Sequence, residues 1–280
     1  DGRVYVGVGN HLDVGGNSAL YCYDPRTDEL KLVADIGQVI GQFQGSRAVG
    51  QGKIHTRVME GSDGRIYGGT MMGGHYTYRL ADYAHPRGYP GGHLWAYDPA
   101  TGQTQDLGIP VPREAVYSIW VDGRRNKIYG QTFHHHLFFV YDLETRKVEV
   151  KGNVGVGEDV YMDTLGMVYT NGPWGNVARY NPDTDELTDL PLYFPRKHDG
   201  ALGINGPNMA QLGRDGMIYS TTLWGCIYRF NPYENQLTSL GYARGDGSEW
   251  DYTPNLTMSQ NGETFYYLAG CHGHYLAAER

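Results

Sequence analysis

Asp63-Gly-Arg-Ile-Tyr67 and, one strand later, Leu94-Trp-Ala-Tyr-Asp98-Pro decide the reading of this chain, because both recur. The first returns as Asp1-Gly-Arg-Val-Tyr5, Asn126-Lys-Ile-Tyr129, Leu165-Gly-Met-Val-Tyr169, Asp215-Gly-Met-Ile-Tyr219 and Asn261-Gly-Glu-Thr-Phe265. The second returns as Leu20-Tyr-Cys-Tyr-Asp24-Pro, Phe139-Val-Tyr-Asp142, Ala178-Arg-Tyr-Asn181-Pro and Tyr228-Arg-Phe-Asn231-Pro. An Asp-Gly or Asn-Gly pair supplies the positive φ of a tight hairpin turn. Pro after Asp or Asn is a second kind of turn chemistry. The repeating unit is therefore strand, turn, strand, loop, strand, turn, strand. Successive copies lie roughly 40–50 residues apart after a longer first gap, which is the period of a four-stranded propeller blade.

The fold expected is all-β: a single β-propeller domain over residues 1–280, made of four-stranded antiparallel blades. Five to six blades are countable, the first without its innermost strand and the last ending after its second. An open ring exposes strand edges, so the expectation is more chain at one or both ends and seven blades in the complete protein.

The 280 residues carry 23 Lys and Arg against 31 Asp and Glu, a formal net charge of -8. That balance opposes phosphate backbones and anionic lipid surfaces, so neither nucleic acid nor membrane is expected as a partner. No run approaches the roughly 18 apolar residues of a membrane span, and the first residues read as a strand with no signal peptide. Three cysteines, Cys22, Cys226 and Cys271, are too few and too widely spaced for a disulfide framework. A monomer is expected.

In a propeller the innermost strand of each blade begins at the face where the loop between its second and third strands emerges, so residues at either place converge on one funnel. Lys53-Ile-His-Thr-Arg-Val58 reads as the inner strand of the second blade, with Lys53, His55 and Arg57 on one side by alternation. The loop of that blade, from Met71 to about Gly92, holds His75, Tyr76, Tyr78, Arg79, His85 and Arg87. The third blade repeats the placement with Tyr117 on its inner strand and His134, His135 and His136 where its loop leaves. Trp174 and Trp224 stand in the corresponding later loops, and the linker into the fifth blade adds Arg196 and Asn208. Scattered filler histidines do not explain imidazoles at equivalent loop positions of neighbouring blades. In an extended chain only His134 and His136 of their triplet share a side. Cys271-His272-Gly273-His274 offers soft and borderline metal ligands without the paired spacing of a structural zinc site, leaving a structural zinc or calcium ion open there. No P-loop, dinucleotide fingerprint, metalloprotease helix or nucleophilic-serine motif is present.

The blade repeat, Gly52-Lys-Ile-His-Thr-Arg57 with His75 in the next loop, and Tyr117 followed by His134 together resemble the propeller-type polysaccharide lyases. Ulvan lyases and rhamnose-glucuronate lyases are the nearest look-alikes; oligogalacturonate lyase and virginiamycin B lyase are more distant. The resemblance implies a lyase that cleaves a uronic-acid-containing glycan by β-elimination, with His55, His75 and Tyr117 in the eliminating site. It also implies an anionic oligo- or polysaccharide substrate, no required cofactor, and a secreted or periplasmic location. His75 or Tyr117 would take the C5 proton and Tyr117 or His55 would protonate the leaving oxygen. His134 stands where those families place an arginine near the uronate carboxylate; Arg57 or Arg196 is its substitute. His134 with Asn208 or Arg196 would steady the enolate-like state, and Trp174 and Trp224 would stack on sugar faces. A propeller glycosidase acting on rhamnose linked to glucuronate and a non-catalytic binding propeller remain as alternatives, since one architecture hosts many functions.

Overall fold

A computed structural model describes residues 2–10, 16–42, 50–73, 88–195, 206–223, 225–243, 253, 255–268 and 276–279, the last four for the backbone alone. The chain forms two compact units, Asp1–Val150 and Lys151–Arg280.

Three sheets begin in the first unit, the third ending in a strand that runs past Val150. β1 (Val4–Val8), β2 (Ala19–Asp24) and β3 (Glu29–Asp35) form one, followed by a helical turn, α1 (Ile36–Val39). The second contains β4 (Lys53–Ile54), β5 (Met59–Glu60), β6 (Ile66–Met71), β7 (Leu94–Asp98) and β8 (Gln103–Gly108). The third runs β9 (Ala115–Asp122), β10 (Lys127–Phe133), β11 (Leu137–Asp142), β12 (Val148–Asn153). The second unit has β13 (Tyr161–Met162) to β14 (Val168–Asn171), β15 (Asn176–Asn181) and β16 (Glu186–Tyr193). Next come β17 (Asn208–Leu212), β18 (Ile218–Thr221), β19 (Cys226–Asn231) and β20 (Gln236–Tyr242). A final sheet joins β21 (Asn255–Met258), β22 (Phe265–Leu268) and β23 (Leu276–Glu279). Every pairing is antiparallel between successive strands, apart from the shared place of β4 and β5 on β6. These are the blades of a β-propeller.

The repeats fold this way because each turn carries its own hydrogen-bond acceptor. In the first turn of the blade, the Oδ1 atoms of Asp63, Asp163 and Asp215 accept the amides of Arg65, Leu165 and Met217 at 3.1, 2.9 and 3.1 Å. Their Oδ2 atoms accept the hydroxyls of Tyr67, Tyr169 and Tyr219 at 2.7, 2.9 and 2.7 Å. The recurrent tyrosine thus buries its ring while bonding its polar tip to the turn. In the second turn, Asp24, Asp98, Asp142, Asn181 and Asn231 each accept the amide two residues on. The residue four positions after each is left-handed: Asp28, Gly102, Arg146, Asp185 and Asn235, with φ between 50° and 71°.

Cores form where the sheets face one another. Tyr67, Leu94, Ala96, Val116, Ile119, Ile128, Phe139 and Tyr141 pack between the second and third sheets. Gly130 is required there, because a Cβ would lie 2.2 Å from the Phe139 ring, and Gly68 is required on the side of the second sheet that faces the first, because a Cβ would lie 2.2 Å from the Trp95 ring, which packs with Leu20, Ala34 and Ile54. In both sheets the aromatic of the neighbouring strand covers the bare backbone of its glycine partner.

Two sequence expectations are corrected. Lys53–Val58 is not one inner strand: β4 and β5 both pair with β6, and the chain leaves the ladder between them, where the Thr56 hydroxyl accepts the Gly69 amide at 2.9 Å. A side chain of the interrupted strand has taken the place of its backbone. The last sheet does not end after its second strand, since β23 pairs with β22 along Phe265–Leu268. Leu276-Ala-Ala-Glu279 is poor in β-branched and aromatic residues and so lacked a strand signature.

Candidate functional site

His55 lies just beyond β4, in the break of the inner strand, and is half-buried. Tyr117 lies in β9 at a bulge: Gln131 pairs with Ser118 and Thr132 with Val116, so the register skips Tyr117. A bulge re-aims a side chain and takes backbone groups out of the ladder. Here the Tyr117 carbonyl accepts from His55 Nδ1 at 2.8 Å, and the two rings stack with centroids 4.1 Å apart and planes 16° from parallel. An Nδ1–H donated to a carbonyl puts the basic lone pair of a neutral imidazole on Nε2. Tyr117 is 2% exposed and packs with Met71, Met72, Tyr89, Ala115 and Phe133.

The histidine-rich hairpin between β10 and β11 continues this row of rings. Phe133 stacks on Tyr117 at 5.2 Å, and His134 follows Phe133 at 6.1 Å. His134 and His135 stack on each other at 4.8 Å and 17°, while His136, left-handed at φ 53°, turns back edge-on to Tyr117 and Phe133. The extended-chain reading that paired His134 with His136 is corrected here, because the three residues form a tight turn. Burial, together with the nearby His134 and against the attraction of Glu114, holds the His136 imidazole below its ordinary pKa.

Glu114, which carried no sequence signal, organises the hairpin. Its carboxylate is 4% exposed. Oε2 accepts the Thr132 hydroxyl at 2.8 Å and the amides of His134 and His135 at 2.8 and 3.0 Å; Oε1 accepts His135 Nδ1 at 2.5 Å. Burial alone would raise its pKa, but these hydrogen bonds, led by those from His135, outweigh burial and lower it. The Glu114 backbone in turn accepts from the Gly92 amide and donates to the Val111 carbonyl, which ties three loops together.

The other expected residues fall as follows. Arg57 sits over the Trp120 ring, 5.5 Å from its centroid. Trp174, in the β14–β15 turn, is 75% exposed. Asn208 is buried in β17, with Nδ2 donating to the Thr253 carbonyl at 2.7 Å. Trp174 and Asn208 belong to the second unit, whereas His55, Arg57, Tyr117 and His134 belong to the first. His75, Arg196, Trp224, Cys271, His272 and His274 lie outside the described residues. Among the described residues no three His, Cys, Asp or Glu side chains are grouped to hold a metal ion, and no helix is long and apolar enough to cross a membrane.

A cavity of about 510 Å³ lies at the other end of the same strands, lined by Arg3, Tyr5, Glu60, Asp63 and Asp98. Both of its aspartates are engaged in the turns: Asp63 by Arg65 and Tyr67, Asp98 by Ala100 and Thr101. The His55–Tyr117 row stands at the Met71 end of β6, not at the Ile66 end that lines this cavity.

No protein-family model and no curated protein matches the sequence. Solved structures do match its fold. A protein from Lactobacillus plantarum is 12% identical, with a TM-score of 0.64 over 99% of this chain and 82% of that one. The periplasmic gluconolactonase of Pseudomonas aeruginosa is 14% identical, with a TM-score of 0.61 over 95% and 75%. Virginiamycin B lyase from Staphylococcus aureus, in complex with quinupristin, is 10% identical, with a TM-score of 0.59 over 99% and 88%. At these identities the likeness is one of fold.

Proposed function

We propose that this chain is an enzyme that cleaves a uronic-acid-containing glycan by β-elimination, with His55 and Tyr117 as its acid–base pair. The observation that carries the reading is the bulge at Tyr117, whose carbonyl holds His55 by Nδ1 while the two rings stack at 4.1 Å. The Nδ1–H contact leaves Nε2 as the basic atom of His55, so in this proposal His55, in place of His75 or Tyr117, is the base and the Tyr117 phenol is the acid. His55 Nε2 takes the C5 proton of the uronate, and the C5–H electron pair becomes the C4–C5 double bond. The C4–O4 bond breaks, and the departing O4 takes the phenolic proton. Tyr117 and His55 then return to their starting states by exchange with water. The carboxylate contacts assigned to Arg57 and His134, both in the same unit as His55 and Tyr117, belong to the same proposal. A secreted or periplasmic setting follows from such a substrate.

The test is ultraviolet absorbance of an unsaturated uronate during incubation with ulvan, gum arabic, glucuronan and pectin fragments. A rise that falls by roughly 100-fold or more in His55→Ala is expected, the size of a lost general base. Flat traces with new reducing ends would point to hydrolysis. Flat traces with retained glycan binding would point to a binding propeller.

A further inference from the structure

We infer that His135, fixed by buried Glu114 and stacked on His134, forms a glycan-binding subsite that takes a hydroxyl of a sugar flanking the reacting uronate. The inference rests on the eliminase reading for the identity of the glycan, and on the geometry of the hairpin for the rest.

A carboxylate that only closed this hairpin would need no more than its two amides and Thr132. Glu114 bonds in addition to His135 Nδ1, although the His135 side chain is 67% exposed. Holding an exposed side chain in one orientation costs rotamer entropy. With Nδ1 as donor, the neutral ring carries its lone pair on Nε2, as an acceptor suited to a sugar hydroxyl. The parallel His134 ring presents a flat partner beside it. Meanwhile the left-handed His136 packs its ring inward, bracing the turn from beneath. A non-glycine residue held at positive φ is costly and persists where the surroundings over-determine it. Phe133 and Tyr117 intervene between His135 and His55 in the row of rings. That spacing favours a contact to a neighbouring sugar over a share in the same proton transfer, which needs hydrogen-bond reach.

The experiment compares the parent with His135→Asn, whose side-chain amide can still donate to Glu114 but offers no ring nitrogen. On whichever uronate polymer the parent cleaves, KM is expected to rise roughly 5–20-fold with kcat within about twofold, the pattern of a lost binding contact. The ¹H–¹⁵N correlations of the imidazoles supply a readout independent of turnover. In the parent, His135 is expected in the Nδ1–H form, with its Nε2 resonance shifting when a glucuronate-containing oligosaccharide is added. A fall in kcat at unchanged KM, or no change in either constant, overturns the inference, as does an Nε2–H tautomer or an unmoved resonance. A parent that turns over no uronate polymer removes the eliminase reading alone, because the resonance shift still decides the subsite. If His135→Asn fails to fold, the resonance experiment on the parent settles the question.

Discussion

Replacing Glu114 with Ala should cost about 3 kcal/mol at pH 7. Thr132 is fully buried and its hydroxyl also accepts the Leu137 amide, so losing the carboxylate leaves its proton unsatisfied; that costs roughly 1–3 kcal/mol. The His134 and His135 amides lose bonds to a charged acceptor, each worth about 1.5–3 kcal/mol before rehydration, and their exposed turn regains much of that from water. Relief of the buried charge offsets a further part. Unfolding entropy near 2.1 cal/mol/K per residue turns about 3 kcal/mol into a Tm drop of roughly 10 °C if the Asp1–Val150 unit unfolds alone, and roughly 5 °C if the whole chain unfolds together. The pH dependence follows from the lowered pKa of Glu114. The unfolded carboxyl binds protons at a higher pH than the folded one, so the contribution is complete above the unfolded value of about 4.3 and is lost as pH falls through the folded value. Urea unfolding monitored by intrinsic fluorescence between pH 7 and pH 3 measures both effects. A gap below about 1 kcal/mol at pH 7, or one that stays constant to pH 3, refutes this account of the hairpin.

Three other outcomes are expected. Gly68→Ala puts a Cβ against the buried Trp95 ring and should destabilise by about 1–3 kcal/mol, read as a lower urea midpoint at an unchanged slope. Arg146→Gly relieves a left-handed residue at φ 58° in an exposed turn and should stabilise by roughly 0.5–1 kcal/mol, read as a higher Tm. His136 should titrate below 6.5 in an NMR pH series because its folded pKa is depressed. Its stabilising contribution is present above the unfolded value and declines as pH falls through the folded one, so mild acid should loosen the β10–β11 turn before the rest of its sheet.

The propeller was legible because each blade repeats local chemistry. Asp63-Gly-Arg-Ile-Tyr67 states a turn, its acceptor and the tyrosine that answers it within five residues. The same holds for Asp98-Pro and its relatives, where an Asx acceptor and a left-handed position sit four apart. His55 and Tyr117 were legible as candidates because alternation and blade position placed them on neighbouring inner strands. Their mutual geometry was not legible, because it depends on a bulge in β9 and a break between β4 and β5, neither of which leaves a sequence mark. The histidine triplet misled for a related reason: alternation holds only for extended chain, and the turn sends His134 and His135 one way and His136 the other.

Sequence alone thus determined the blades, through interactions between residues close along the chain: hairpin turns, alternating burial and a fixed repeat length. Tertiary structure decided which partners the described histidines of the β10–β11 turn meet. Glu114 shows the distinction most plainly, for nothing in Val111-Pro-Arg-Glu-Ala115 marks it. Its importance arises only when folding brings Thr132, His134 and His135, some 20 residues away, around one buried carboxylate. A buried charge must be satisfied by whatever donors the fold delivers to it, and that delivery is a property of three-dimensional packing rather than of local pattern.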